Sequence, residues 1–393
     1  MMPISMRLGA RRHGLFTTIL GAAALLSPMM LSAAQAAPPP GEYKVGFIAE
    51  KTGPIAAAGI TFARGAELAV EEINATSYIG PNVKISLVEK ESGTDTARGI
   101  QALSQFIADR SILAVSCCLL SPTVNAMKPV TKNGKMPMVI YGATAPGLPE
   151  PPYVYNASDV AGLRDVFMAK RLSEEIKPKT VAYFVMADNE TYQGRMKASQ
   201  KIMEESGAKT AGVISVFGAD TDFTAPATQA MALNPDMIQI YAIQTPTAGI
   251  IAALRARGYK GVIATSDVIA SMAVFKKLGP SILQIPFPTN FSPDLLSDPA
   301  AKTFATKYNE KYGEKPDSYA VQGYTALYFI GQGAKGLNAA PTRETLGESM
   351  SKMTSLERNL YGGLPIQNGQ AILEKPILAQ WSEDGRIIEW KKQ

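Results

Sequence analysis

Histidine is almost missing from this sequence. Its single copy, His13, stands in a basic and then apolar stretch at the start of the chain. With that stretch set aside, nothing remains for a Ser-His-Asp triad, a Cys-His pair or a zinc site built with imidazole. Cysteine is nearly as scarce: Cys117 and Cys118 are neighbours, so they cannot staple distant segments, and a zinc site would have to be built largely of carboxylates. The two read as small apolar residues at a strand end rather than as a redox pair, with a vicinal disulfide as the alternative. No Walker loop and no glycine-rich loop between a strand and a helix is recognised, so a nucleotide cofactor has no support, and no G-x-S-x-G marks a nucleophile. Lysine- or carboxylate-based catalysis stays open only as a formal option.

Long apolar runs are also lacking beyond the first 36 residues. Arg7, Arg11 and Arg12 precede the run Leu15 to Leu31, which leads into Ala34-Gln35-Ala36. That order is the pattern of a secretory signal cleaved after Ala36. No later run approaches the roughly 20 residues needed to span a bilayer, so the expectation is a soluble protein outside the cytoplasm. The leader removes three of the 39 basic residues and none of the 34 acids, leaving 36 against 34. A balance so near neutral carries no electrostatic footprint for nucleic acid.

What is present is a regular alternation of apolar runs and loops. Its most informative stretch runs from Ser116 to Gly147. Ile112 to Cys118 is too short for a helix and suits a buried strand, and Ser121-Pro122-Thr123 offers a hydroxyl N-cap with proline at the first helical position. Pro137 to Tyr141 reads as the next strand and breaks at Gly142-Ala143-Thr144-Ala145-Pro146. If the two strands are parallel, both loops lie on the sheet edge where open α/β sheets bind ligands.

The same rhythm fills the rest of the chain. Strands are expected at Lys44 to Ala49 and Val83 to Glu89, each followed by a helix, and four strands alternating with helices indicate a doubly wound parallel sheet. Beyond Pro149-Glu150-Pro151-Pro152 a second run offers a helix from Arg164 to Ile176 and strands at Thr180 to Met186, AGVISVF, DMIQIYAI and GVIAT. The loop ADNETYQG follows the first of these strands. After Ile285-Pro286-Phe287-Pro288 come two helices, the first carrying Phe304, Tyr308 and Tyr312. ILAQW and RIIEW close the chain as a hairpin around Glu383-Asp384-Gly385. The residues after the leader are too many for one core, so two domains are the default.

KVGFIAEKTGPIAAAGITFARGAELAVEEIN, MPMVIYGATAP, DTDFTAPATQAMALNPDMIQIY and FATKYNEKYGEKPDSYAVQGYTAL stand in this order behind the leader. With them the chain resembles the periplasmic solute-binding proteins of ABC importers, in the Leu/Ile/Val-binding (branched-chain amino acid) family. The resemblance implies an α/β fold of two doubly wound parallel-sheet lobes joined by three crossover strands, the type I periplasmic binding protein fold. It implies a first lobe from residues 37–157 and 290–364 and a second from 158–289 and 365–393, with lobe closure on a small molecule in the cleft. The crossovers are placed near Asn156 to Ser158, Pro288 to Phe291 and Leu364 to Asn368. By position, first-lobe ligand contacts fall at Ser121, Thr123, Ala143 and Thr144. Second-lobe contacts fall at Tyr192, at Tyr241 to Gln244, and at Asp267, near the family's ammonium-binding carboxylate. The partners implied are the importer's membrane subunits and an amino acid; no cofactor, metal or nucleic acid is implied, and the protein is expected to act as a monomer without catalysis.

Departures from the family pattern bear on the ligand. Ala58 stands where an aromatic is common, Leu120 falls at or beside a usual serine, and Pro122 has no N–H to offer a carboxylate. A roomier, more apolar pocket follows, and an aromatic or other small organic carboxylate is the alternative ligand. A ligand-sensing receptor subunit is the alternative of another class.

Overall fold

A computed structural model describes residues 39–292, 294–295, 298–373 and 376–392; His13, the leader and its cleavage point lie outside them. β1 (Gly41–Ala49), α1 (Ala56–Ala75), β2 (Val83–Glu91), α2 (Thr96–Ala108), β3 (Ile112–Cys117), α3 (Ser121–Asn133), β4 (Met138–Ile140) and β5 (Val154–Asn156) follow in order. These strands pair in parallel in the spatial order β2-β1-β3-β4-β5. Strand order reverses between β1 and β3, so the loops after their carboxyl ends diverge there and leave a crevice.

The chain then enters a second sheet through α4 (Ala161–Glu175), β6 (Thr180–Met186), α5 (Glu190–Glu205), β7 (Lys209–Val216), α6 (Thr224–Ala232), β8 (Met237–Tyr241), α7 (Gln244–Ala256) and β9 (Val262–Thr265). Its four strands are parallel in the order β7-β6-β8-β9, again with a reversal, between β6 and β8. β6 shows why the run is apolar throughout. Ala182, Phe184 and Met186 enter one buried cluster while Val181, Tyr183 and Val185 enter another, because a parallel sheet is covered on both faces. The loop expected at ADNETYQG is shorter than the residues suggest, since Asn189 caps α5 by accepting from the N–H groups of Thr191 and Tyr192.

α8 (Met272–Leu278) and β10 (Phe287–Thr289) end this passage; α9 (Pro299–Tyr312), α10 (Ser318–Lys335) and α11 (Arg343–Ser351) return to the first core. α10 is buried on nearly every side and lies backbone to backbone with α1. A Cβ at Gly65 would stand 1.8 Å from the Ala320 carbonyl oxygen, and one at Gly323 2.0 Å from that of Phe62, so both positions need glycine. The spacing G-x-G-x-x-G does occur, at Gly331, Gly333 and Gly336, but it lies in the last turns of α10 and at its end rather than between a strand and a helix. It therefore has no phosphate-loop context.

β11 (Ile366–Gln367) and β12 (Gln370–Ala371) form a small hairpin, and β12 pairs in parallel with β5, extending the first sheet to seven strands. This differs from the expected division, which assigns residues after 364 to the second lobe. Asn368 and Gly369, both at positive φ (49° and 76°), turn the chain back on itself. Residues 366–371 thus lie on the first sheet. The terminal hairpin β13 (Ile377–Trp381) and β14 (Ile387–Glu389) forms as expected and joins β10 in a separate antiparallel sheet. No helix among the described residues is long and apolar enough to cross a membrane.

Candidate functional site

Loops from the carboxyl ends of both parallel sheets meet at one cavity. From the first sheet come Ile55 and Ala58 after β1, Leu119, Leu120 and Ser121 after β3, and Gly142 and Thr144 after β4. From the second come Asn189 and Tyr192 after β6, Ile243 and Gln244 after β8, and Asp267 and Val268 after β9. Tyr319 and Gln322 of α10, Arg164 of α4 and Arg195 of α5 complete the wall. The two sides touch: Ile55, Leu119 and Leu120 pack into an apolar cluster of the second sheet, and the Thr245 hydroxyl donates to the Pro54 carbonyl at 3.1 Å.

Of the expected contacts, Ser121, Thr144, Tyr192, Asp267 and, from the loop Tyr241 to Gln244, Ile243 and Gln244 line this cavity, and Thr123, Ala143 and Tyr241 do not. Thr123 is the third residue of α3 and its hydroxyl turns to Thr96 Oγ1, 2.8 Å away. Ala143 is fully buried; its N–H donates to the Cys118 carbonyl and its own carbonyl accepts from Asn156 Nδ2, both at 2.9 Å. Tyr241 is still within β8, and its hydroxyl donates to Gln239 Oε1 at 3.0 Å. Ser121 is not the N-cap its sequence suggests. Leu120 holds that position and Ser121 is the first helical residue, which frees its Oγ to accept the Ala145 N–H at 3.2 Å and lace two site loops together.

Behind the first-sheet loops sits Glu50, 1% exposed. Its carboxylate accepts the Leu119 N–H and the Tyr141 hydroxyl, both at 2.8 Å. Burial pushes its pKa up to about 7, against the pull of those two hydrogen bonds. Beside it, Cys117 and Cys118 are joined as a vicinal disulfide, with their sulfurs against the sulfurs of Met127 and Met138. Both are buried as expected of small apolar residues, but they are paired. Strand alternation, which would send successive side chains to opposite faces, ends at Cys117, and the 117–118 peptide is cis.

The second-sheet side is built on ions. Arg195 grips Asp165 with two nitrogens, Nε at 2.5 Å and Nη2 at 3.0 Å, and its guanidinium carbon lies 5.3 Å from the centre of the Tyr192 ring. Arg164 stands between Asp159 (Nε to Oδ2, 3.0 Å) and Asp267 (Nη1 to Oδ2, 2.9 Å). Arg195 Nη2 reaches the other oxygen of Asp267 at 3.4 Å. Burial alone would raise the Asp267 pKa, yet the two guanidinium groups more than offset it and leave it below the ordinary carboxylate value. Asp159 also accepts from Asn290 Nδ2 at 3.1 Å, and the Ser158 carbonyl accepts from Gln370 Nε2 at 2.5 Å, so this cluster is tied to the segments where the chain passes between sheets.

Neither arginine is picked out by motif. The usable signal is position: Arg164 lies in the first turn of α4, where the helix dipole disfavours a cation. A basic residue there needs acids from elsewhere, and Asp159 and Asp267 supply them.

The model of the periplasmic binding protein family matches residues 42–386. The Leu/Ile/Val-binding protein homolog 7 of Brucella abortus is 23% identical over 373 residues, covering 90% of this chain and 92% of that protein. The branched-chain amino acid transporter substrate-binding protein LivJ of Streptococcus pneumoniae, in complex with isoleucine, superposes with a TM-score of 0.79 at 21% identity, over 89% of this chain and 100% of its own. A solute-binding protein of an ABC transporter from R. palustris, in complex with benzoate, has a TM-score of 0.79 at 17% identity, over 89% and 95%.

Proposed function

The chain belongs to the periplasmic binding protein family, and on that premise we propose that it is the extracytoplasmic substrate-binding component of an ABC importer, capturing an α-amino acid between its two lobes. The observation that carries the amino-acid reading is a charge count. Arg164 with Asp159 and Arg195 with Asp165 form two neutral pairs, and Asp267 is the fifth charge, borrowing contacts from both arginines while lining the cavity. The two guanidinium groups hold Asp267 as an anion, which leaves an excess negative charge at the cavity wall to which a ligand ammonium is complementary. The ligand carboxylate then faces the first-lobe hydroxyls of Ser121 and Thr144, and its side chain lies among Ile55, Ala58, Leu119, Leu120 and Ile243. Closure follows because the ligand contacts both lobes only when they meet. The Leu/Ile/Val-binding name of the Brucella relative supports an amino acid of that type.

A second reading, a small aromatic carboxylate without an amine, draws on the fact that both Asp267 oxygens already face guanidinium groups. One variant separates the two. In calorimetric titration, Asp267→Asn is expected to weaken an amino acid by on the order of a hundredfold or more, about 2.7 kcal/mol. A carboxylate without an amine should bind the variant equally or more tightly. An α-amino acid whose affinity ignores the change would overturn the assignment of Asp267.

A further inference from the structure

Among the described residues three arginines are nearly fully buried, and they differ in how their donors are used. Arg343, 7% exposed, gives Nε to the Ile112 carbonyl, Nη1 to that of Ile107, and Nη2 to those of Phe106 and Asp109. It is a structural clamp with every nitrogen engaged. Arg195 is engaged by Asp165 and Asp267. Arg164, the most buried at 2% exposed, has Asp159 and Asp267 within ion-pair distance, but Nε and Nη1 point their N–H bonds at no acceptor among the described residues. Its charge is balanced and its hydrogen bonding is not.

Lining the same cavity, Gln322 of α10 is 2% exposed, and its Oε1 also meets no donor among the described residues. A buried polar group without a partner is costly. Two such side chains lining one cavity, one a donor and the other an acceptor, are complementary to a ligand group that both accepts and donates. We propose that Arg164 and Gln322 form a second polar pole of the cleft, which takes a neutral carbonyl-bearing side chain, of the carboxamide class, on the amino acid. This rests on the amino-acid reading above and departs from a purely aliphatic side chain.

Charge selects carboxamide over carboxylate. The five buried charges sum to one net negative, and a zwitterionic amino acid, ammonium and α-carboxylate together, leaves that sum unchanged. A side-chain carboxylate would add a second uncompensated anion, whereas a carboxamide carbonyl accepts from Arg164 and its NH2 donates to Gln322 at no cost in charge.

The test is calorimetric titration of the processed protein with glutamine, asparagine, glutamate, leucine and isoleucine. Repeating it with Arg164→Lys, which keeps the charge and loses the planar fork of donors, and with Gln322→Leu locates the pole. The better carboxamide is expected to bind at least tenfold more tightly than leucine or glutamate. That ratio should collapse towards one in either variant, and circular dichroism should show both variants folded. Aliphatic preference in the parent protein, or a ratio unmoved by both variants, overturns the proposal while leaving the amino-acid reading standing. Failure of all five ligands to bind overturns both.

Discussion

The two sides of the cleft bury carboxylates by opposite means. On the first-sheet side Glu50 is surrounded by neutral donors, an N–H and a hydroxyl. Asp317, which caps α10, is likewise held by the Ala320 N–H and approached by the Thr61 hydroxyl. Burial pushes both pKa values up to about 7. On the second-sheet side Asp159, Asp165 and Asp267 are buried just as deeply against Arg164 and Arg195, and Asp267 is held below the ordinary value. Neutral donors leave Glu50 and Asp317 near the point of protonation, while two guanidinium groups hold Asp267 as an anion; burial raises Asp165 in spite of its Arg195 partner. The first-sheet side is therefore sensitive to pH near neutrality, and Asp267 keeps its charge at the cavity wall.

Breaking the ionic side should have the largest effect. Arg195→Met leaves Asp165, fully buried, without its bidentate partner. Removing one member of a buried pair costs about 3–5 kcal/mol, and denaturant unfolding of the ligand-free protein should show a loss of that order. Asp165→Asn combined with Arg195→Met should recover part of it, since the uncompensated anion is then gone. A single variant as stable as the parent would mean that the pair contributes nothing net.

The same comparison explains what the residues revealed beforehand. The alternating strands and helices and the loops at Ser121 and Thr144 were legible because apolar runs of strand length, proline and glycine carry local physics; the strand orders were not, because they depend on non-local pairing. Asp267 was legible from the family resemblance alone. The ionic cluster was not: Asp159, Arg164, Arg195 and Asp267 are spread over more than 100 positions, and only the sheet topology brings them together. Thr123, Ala143 and Tyr241 stand within two positions of a lining residue but do not line the cavity, because their polar groups are engaged elsewhere. The Asn368-Gly369 turn was a readable hairpin signal, and it folds residues 366–371 onto the first sheet.

The neutral side should reveal itself through pH. A carboxyl whose pKa rises from about 4.5 unfolded to about 7 folded binds more protons in the native state between those values. Its contribution to stability is full below about pH 4.5 and is lost as pH rises through 7. The change amounts to up to about 3 kcal/mol. Glu50→Gln, which imitates the protonated form and retains an acceptor for Leu119 and Tyr141, should raise stability at pH 8 and flatten that part of the profile between pH 5 and 8. Parallel profiles for parent and variant would show that Glu50 does not titrate in this range.

The smallest effect should come from the first-lobe hydroxyl proposed to meet the ligand. Thr144 lines the cavity, and a hydroxyl donated to a ligand carboxylate is a hydrogen bond to a charged group, worth about 1.5–3 kcal/mol. Thr144→Val keeps the shape and removes only the hydroxyl, so affinity should fall about tenfold, at 1.4 kcal/mol per decade. Thr144 is a cleaner probe than Ser121, whose Oγ also accepts the Ala145 N–H, so a change there would disturb the loop as well as the ligand. The loss should also be nearly independent of salt, because the substitution removes a dipole and no charge. Titrations of parent and variant at low and high ionic strength check both points. An affinity unchanged by Thr144→Val would remove this hydroxyl from the site and leave the carboxylate to Ser121 and the backbone N–H groups at the start of α3.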